Sequence, residues 1–355
     1  MSGKQAVELQ GHFELPGKDY GIRELRQGLI HKTYLLLNND VPEYILQQIN
    51  TKVFPEVQAL MGNLCGALSY LKAEDYQPIE VVKTRDGGLF LDKGDAGYWR
   101  VMSYIPGSIT YNTTSNSNVA REAGRIISRF HSLLQPAPPG EFADVLPGFH
   151  DLNLRKEQYL RALENAPSGR KALAKNAMAI AQSFLDYPFP FNDVMFPTRI
   201  CHNDTKLNNI LFSAKDKRAL CLIDLDTIME GCFLYDFGDA VRTIVNTAPE
   251  DERILDKIRF SRPLFEAFID GLGTEAALLK NEEIAYLPYG AVYMPVLHGL
   301  RALTDFLSGD KYYQVAYEGQ NLDRSMSLFT FAERAAEQLE YMEKVIHKSL
   351  SPSNS

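Results

Sequence analysis

The sequence predicts an α+β chain in two lobes, a small mixed β lobe followed by a larger, mainly helical one, and three observations lead there. Short strand-like runs crowd the first hundred residues. Helix-period apolar stripes dominate after the break at Ile105-Pro106-Gly107-Ser108. A length of 355 residues, 45% apolar and 11% aromatic, is enough to bury two substantial cores. The lobes are therefore divided at the break, as residues 1–107 and 108–355.

In the first lobe, residues 33–37, 44–49 and 99–104 are runs of strand length, punctuated by the turn residues Asn38-Asn39-Asp40 and Asp86-Gly87-Gly88. After Pro55, the positions Val57, Leu60, Met61, Leu64, Leu68 and Leu71 recur at three- and four-residue steps, which predicts a helix packed across the sheet. In the second lobe, residues 119–134 and 329–346 have helical periodicity. The stripe Ala123, Ile126, Ile127, Phe130, Leu133 and Leu134 is read as core. Residues 210–212 and 219–223 form two further apolar runs around a polar 213–218, the pattern of a hairpin. A helix is expected to begin near Gly238. The tail 349–355 has nothing to bury and is expected to be disordered.

A net charge of −8 argues against a nucleic-acid partner, because phosphate-backbone binders concentrate positive charge. The four cysteines, Cys65, Cys201, Cys221 and Cys232, have neither metal-ligand spacing nor the density of a disulfide framework. No signal-like apolar stretch opens the chain and no window is long and apolar enough to cross a bilayer, so a cytoplasmic protein without a membrane partner is expected. Oligomeric state leaves no signature.

The most specific pattern is His202-Asn203-Asp204-Thr205-Lys206-Leu207-Asn208-Asn209, followed by Ile223-Asp224-Leu225-Asp226. Phosphoryl transfer needs a carboxylate to orient the attacking hydroxyl and metal ligands to neutralise phosphate charge. Asp204 suits the first role. Asn209 and Asp224 suit the second, since the hairpin places both polar clusters at one end. Lys206 stands where a γ-phosphate could be reached. The structural alternative is that Asp204 and Asn209 cap turns and Asp224 is a solvated strand end. Asp236-Phe237-Gly238 resembles a metal-binding tripeptide of protein kinases, but its distance from Asn209 is about twice too long, so Asp236 is read as a loop anchor or helix cap.

The pattern His-x-Asp-x-x-x-x-Asn, then Ile-Asp-x-Asp, then a later Asp resembles the aminoglycoside phosphotransferase and choline kinase superfamily. Within it, the segments 202–211, 223–229 and 236–239, together with 44–51, Phe54-Pro55, 121–124 and 301–310, are similar to the bacterial N-acetylhexosamine 1-kinases. The resemblance implies a two-lobed protein-kinase-like fold, ATP and Mg²⁺ as cofactors, and a sugar acceptor phosphorylated at its anomeric hydroxyl. It also implies nucleotide contacts from the loop before the second strand, with Gly28 permitting close approach of phosphates and His31 and Lys32 beside it. The strand cation usual in such kinases is replaced by the neutral amides Gln47 and Gln48, which make weaker bonds to phosphate than a charged donor. Met102 and Tyr104 fall where an adenine would meet backbone. For the acceptor, Thr227 and the one-turn pair Arg301 and Asp305 are candidates, with a surface ion pair as the alternative. The residues leave open a choline, ethanolamine, homoserine, aminoglycoside or other sugar acceptor, and a catalytically idle nucleotide-binding protein.

Overall fold

The computed structural model describes residues 8–17, 19–25, 30–191 and 194–350. The first lobe is an antiparallel sheet of six strands: β1 (Gly21–Leu25), β2 (Lys32–Asn38), β3 (Val41–Gln48), β4 (Val81–Val82), β5 (Leu91–Asp92) and β6 (Tyr98–Ser103). Their order is β1-β2-β3-β6-β4, with β5 also on β6. Asn39 and Asp40, both at positive φ, close β2 onto β3 in a two-residue loop, which suits short polar side chains that tolerate the left-handed region. The register shifts between Leu36 and Leu37, opposite Pro42, which has no amide to donate to the ladder.

Side chains alternate across this sheet. Tyr34, Leu36, Leu46, Trp99 and Val101 join Phe13 and Tyr20 in a small outer cluster. Met102 and Ile45 face inward and belong to the large core that runs through the rest of the molecule. The helix expected across the sheet is α1 (Val57–Tyr70), and its buried stripe is Val57, Leu60, Met61, Leu64 and Ala67. It does not lie chiefly on the sheet. It rests on the turn at Leu225–Thr227 and on α2 (Ser117–Leu134), and Asn63 on its buried face donates to Ile228 O and Ala143 O, both at 2.8 Å. Its apolar stripe therefore joins one continuous core instead of closing a separate one.

After the turn at Gly107 (φ +69°), β7 (Ser108–Ile109) pairs with β9 (Ile210–Ser213), which pairs with β10 (Ala219–Leu222). The expected hairpin is thus present with one strand added. β8 (Arg199–Cys201) pairs with β11 (Met229–Gly231). The helices that follow α2 are α3 (Leu152–Asn165), α4 (Ser168–Leu173), α5 (Lys175–Leu185), α6 (Phe233–Ile244), α7 (Arg262–Leu272), α8 (Asn281–Leu307), α9 (Gln320–Ala336) and α10 (Leu339–Leu350). Three expectations are corrected. α6 starts at Phe233, not near Gly238. The segment 329–346 spans two helices, α9 and α10, parted at Glu337-Gln338. Ser349 and Leu350 continue α10, with Leu350 1% exposed, because Leu350 has core to bury; residues 351–355 lie outside the described residues. Among the described residues no helix is long and apolar enough to cross a membrane.

α2 and α7 cross at glycines. A Cβ at Gly124 would lie 2.1 Å from Phe268 O, and one at Gly271 1.9 Å from Arg121 O. Gly124→Ala should therefore cost about 1–3 kcal/mol of overpacking, despite alanine's better helix propensity. Gly169→Ala, where a Cβ meets nothing within 4 Å, should change stability little; urea denaturation of the two variants checks the contrast.

Candidate active site

β8 and β11 form the base from which the segment 202–209 departs, and α6 holds that segment in place. Asp236, in the first turn of α6 and fully buried, accepts from His202 N (2.9 Å), Asn203 N (2.7 Å) and His131 Nε2 (2.9 Å). Burial alone would raise its carboxyl; the hydrogen bonds from His131 and from the loop amides outweigh this and hold it below the ordinary carboxylate range. Asp236 is thus the expected loop anchor, acting from inside the helix. Asn203 adopts φ +63° and donates Nδ2 to Thr227 O at 3.0 Å. A Cβ on Gly231 would lie 2.8 Å from Asn203 Oδ1, so the neighbouring strand needs glycine there. His202 is locked as well: Nδ1 accepts from Asp204 N (3.2 Å), which leaves Nε2 to donate to Ile223 O (2.9 Å).

This scaffold brings together Asp204, Lys206, Asn209 and Asp224. Asp204 Oδ2 accepts from Lys206 Nζ (2.7 Å) and Asn209 Nδ2 (2.9 Å). Burial works to raise the Asp204 carboxyl, but the Lys206 ammonium prevails and lowers it, and Lys206 is correspondingly raised. Ile223 N donates to Asn209 O at 2.8 Å, one step beyond the Leu222–Ile210 register pair, so Asn209 and Asp224 flank the end of the hairpin as expected. Asp224 has φ +61° and an exposed side chain, while Asp226 two residues on is 3% exposed. The dense protein around the Asp224 carboxyl, then repulsion from Asp226 and Asp204, push it above the ordinary range. An accessible hard oxygen donor in excess negative charge, beside an amide oxygen donor, fits a divalent cation.

The nucleotide candidates divide differently. Gly28 lies outside the described residues. Lys32 is exposed at the start of β2, opposite Gln48. Gln47 and Gln48 point to opposite faces: Gln48 Nε2 donates to Ala96 O (3.0 Å), away from the cleft, so it does not substitute for a strand cation. Gln47 Oε1 instead accepts from Arg100 Nε and Nη2 (3.0 and 2.7 Å), a residue that sequence reasoning missed. Arg100 sits opposite Gln47 in the β3–β6 register and binds both oxygens of Asp226. An arginine inside the apolar run Trp99-Arg100-Val101-Met102 was the available signal. His31 has both ring nitrogens engaged, with Asp226 and with Asn50 N, and so has none left for a phosphate. Met102 is 8% exposed in the inward core, and Tyr104 N is bonded to Glu43 O (3.0 Å) within its own lobe.

On the far side of Asn203 lies a pocket of about 350 Å³ lined by Phe142, Asp144, Phe149, His150, Asn203 and Tyr235, among others. The Arg301 guanidinium lies 4.8 Å over the Phe149 ring and 5.7 Å over Tyr312, and donates to Tyr312 Oη at 3.3 Å. Asp305 does not share a binding face with it: its carboxylate accepts from Lys311 N, Tyr312 N, Tyr313 N and Asn321 Nδ2, which folds the 310–313 loop over Arg301. Thr227 is likewise internal, its hydroxyl donating to His202 O at 2.6 Å. His150 is buried against Phe149 and Tyr235, its Nε2 without a partner.

Burial pushes the imidazoles of His131, His150 and His298 down, His150 to about 4. Such groups stay neutral in the folded state while the unfolded chain takes up protons below about pH 6.5. Stability is therefore complete above that pH and falls on acidification, by about 1.4 kcal/mol per pH unit for His150 between about 6.5 and 4. Denaturation across that range should show the slope, and His150→Gln should make it shallower.

A family model described as the phosphotransferase enzyme family matches residues 21–268. Among solved structures, the microcompartment-associated aminopropanol kinase is 18% identical, with a TM-score of 0.62, over 96% of this chain and 99% of that one. Spectinomycin phosphotransferase, in complex with ADP and spectinomycin, is 12% identical with a TM-score of 0.59, over 94% and 97%. A choline/ethanolamine kinase family protein from Mesorhizobium loti is 14% identical with a TM-score of 0.57, over 98% and 100%. The small antiparallel sheet and larger helical part are the kinase-like fold of these neighbours, and with a family model matching residues 21–268 the chain belongs to the phosphotransferase enzyme family.

Proposed function

We propose that this chain transfers the γ-phosphoryl of ATP, with Mg²⁺, to the anomeric 1-hydroxyl of an N-acetylhexosamine such as N-acetylglucosamine or N-acetylgalactosamine. Membership of the phosphotransferase family supports a small-molecule kinase. An amicoumacin kinase of the same fold, 14% identical with a TM-score of 0.56, holds AMP-PNP and Ca²⁺, which supports a nucleotide and a divalent ion here. Asp204 orients the acceptor hydroxyl and receives its proton as the new oxygen–phosphorus bond forms and ADP leaves. Lys206 keeps the Asp204 carboxylate charged and adds positive charge beside it. Asn209 and Asp224 would hold Mg²⁺, which neutralises phosphate charge when bound. Residues 1–107 serve the nucleotide and residues 108–355 supply catalysis and the acceptor site.

The observation that carries the acceptor class is Arg301. Its charge is felt at Asp204, and it is fixed between Phe149 and Tyr312 next to the pocket. A cation held there repels a quaternary ammonium or amine, whereas its N–H groups and the flanking rings suit hydroxyls, an acetamido oxygen and the apolar face of a sugar ring. The pocket's acidic residues, Asp144 and Glu230, are exposed, where solvent screens them.

Purified protein with ATP and Mg²⁺ should consume ATP with the two N-acetylhexosamines and not with choline or ethanolamine, and ³¹P and proton NMR should find phosphate on C1. Asp204→Asn and Asp224→Ala should lose turnover while remaining folded; wild-type rates for either would defeat the role given to it. Arg301→Ala should raise the sugar KM by roughly 10–100-fold, the worth of a charge-assisted hydrogen bond.

A further inference from the structure

Asp226 is the second carboxylate of the Ile-Asp-x-Asp pattern, and it has no oxygen to spare. Oδ1 accepts from Arg100 Nη1 (2.5 Å), and Oδ2 from Arg100 Nη2 (2.6 Å) and His31 Nε2 (2.6 Å). Arg100, 2% exposed, is equally committed: Nε and Nη2 also go to Gln47 Oε1, and Nη1 lies 3.7 Å from Met61 Sδ. The His31 tautomer follows from its other nitrogen. Nδ1 accepts from Asn50 N (3.0 Å), so the proton is on Nε2 and is donated to Asp226. Arg100 comes from β6, Gln47 from β3 and His31 from the residue before β2, whereas Asp226 lies in the turn Leu225–Thr227 that follows Asp224.

We propose that Arg100 and His31 are positioning residues that make Asp226 a latch between the sheet and the metal-binding turn, and so remove it from the set of cation ligands. The proposal rests on the kinase reading above. The two carboxylates are told apart by their surroundings. Asp224 is open to the cleft on a left-handed backbone, while Asp226 is closed off by three charge-assisted hydrogen bonds, which a cation would have to displace. The charge that β3 lacks at Gln47 is therefore present on the next strand, turned toward protein, where it fixes the turn that presents Asp224. Because His31 directly precedes β2, the same carboxylate ties the segment entering that strand to the metal turn.

The test is calorimetric titration of ADP with and without Mg²⁺, which requires no turnover. In the wild type Mg²⁺ should tighten ADP binding. Arg100→Lys and His31→Gln should each lose roughly 10-fold of that enhancement, the low end of what loss of outer-shell support costs a metal site, with the acceptor KM unchanged. If Asp226 is itself a ligand, freeing it gives the opposite sign: an enhancement equal to or larger than wild type in folded Arg100→Lys or His31→Gln overturns the proposal. His31→Gln carries the test alone should Arg100→Lys not fold, since it removes one bond of the three. Absence of ADP binding to the wild type would defeat the kinase reading and the latch with it, whereas normal binding with unaltered variants defeats the latch only.

Discussion

The buried carboxylate of Asp236 is the constraint on which the segment 202–209 depends. A charge taken out of water is costly unless fully partnered, and here the partners are two consecutive loop amides and the His131 imidazole. Meeting that requirement sets the path of the loop: the amides of His202 and Asn203 both point at α6, and the chain bends through Asn203 at φ +63°. Further along, Leu207 N is received by Thr243 Oγ1 at 2.9 Å, so a single helix holds the loop at two places about two turns apart. The Asp204 carboxylate owes its position to a rigid element, not to loop chemistry.

A second buried charge ties the lobes together. Arg100 and Asp226 are 2% and 3% exposed, and removing one partner of such a pair typically costs about 3–5 kcal/mol because the other is left uncompensated. The cost explains why Gln47 stands where a cation was expected. Its amide oxygen takes up the Arg100 N–H groups that Asp226 does not, and its Nε2 is held by Thr33 Oγ1 at 3.0 Å, so no polar atom of the cluster is left without a partner. A second cation on β3 would find that carboxylate already neutralised.

The parts legible in the sequence are those whose chemistry is contiguous. The 202–209 and 223–226 segments could be read because spacing along the chain becomes spacing in a hairpin, and the Asn39-Asp40 turn because positive φ selects those residues. What escaped reading depends on register or on return of the chain. Arg100 meets Gln47 only because β3 lies opposite β6, and it meets Asp226, 126 positions away, only where the chain returns at the turn Leu225–Thr227. Asp305 looked like a companion of Arg301 at helical spacing, yet the 310–313 loop folds back to take its carboxylate with backbone amides. Thr227 and His31 look like exposed polar groups until tertiary contacts consume their hydrogen-bonding atoms.

The two ends of the site then carry opposite electrostatic demands. Around Asp224 three carboxylates gather, of which Asp204 is paired with Lys206 and Asp226 with Arg100, so Asp224 is the one left open to an added cation. At the other end Lys206 already offsets Asp204 and Arg301 is held by aromatic rings, so the protein supplies the positive charge there itself. Under the proposed reading, positive charge brought by substrates enters at the nucleotide end with the metal, and the acceptor arrives neutral. A cationic acceptor would meet a like charge at Arg301, which is held against Phe149 at the pocket's edge. In the proposed reading, specificity is set by a charge that the protein keeps for itself, on the same helix whose Asp305 holds the loop that closes over it.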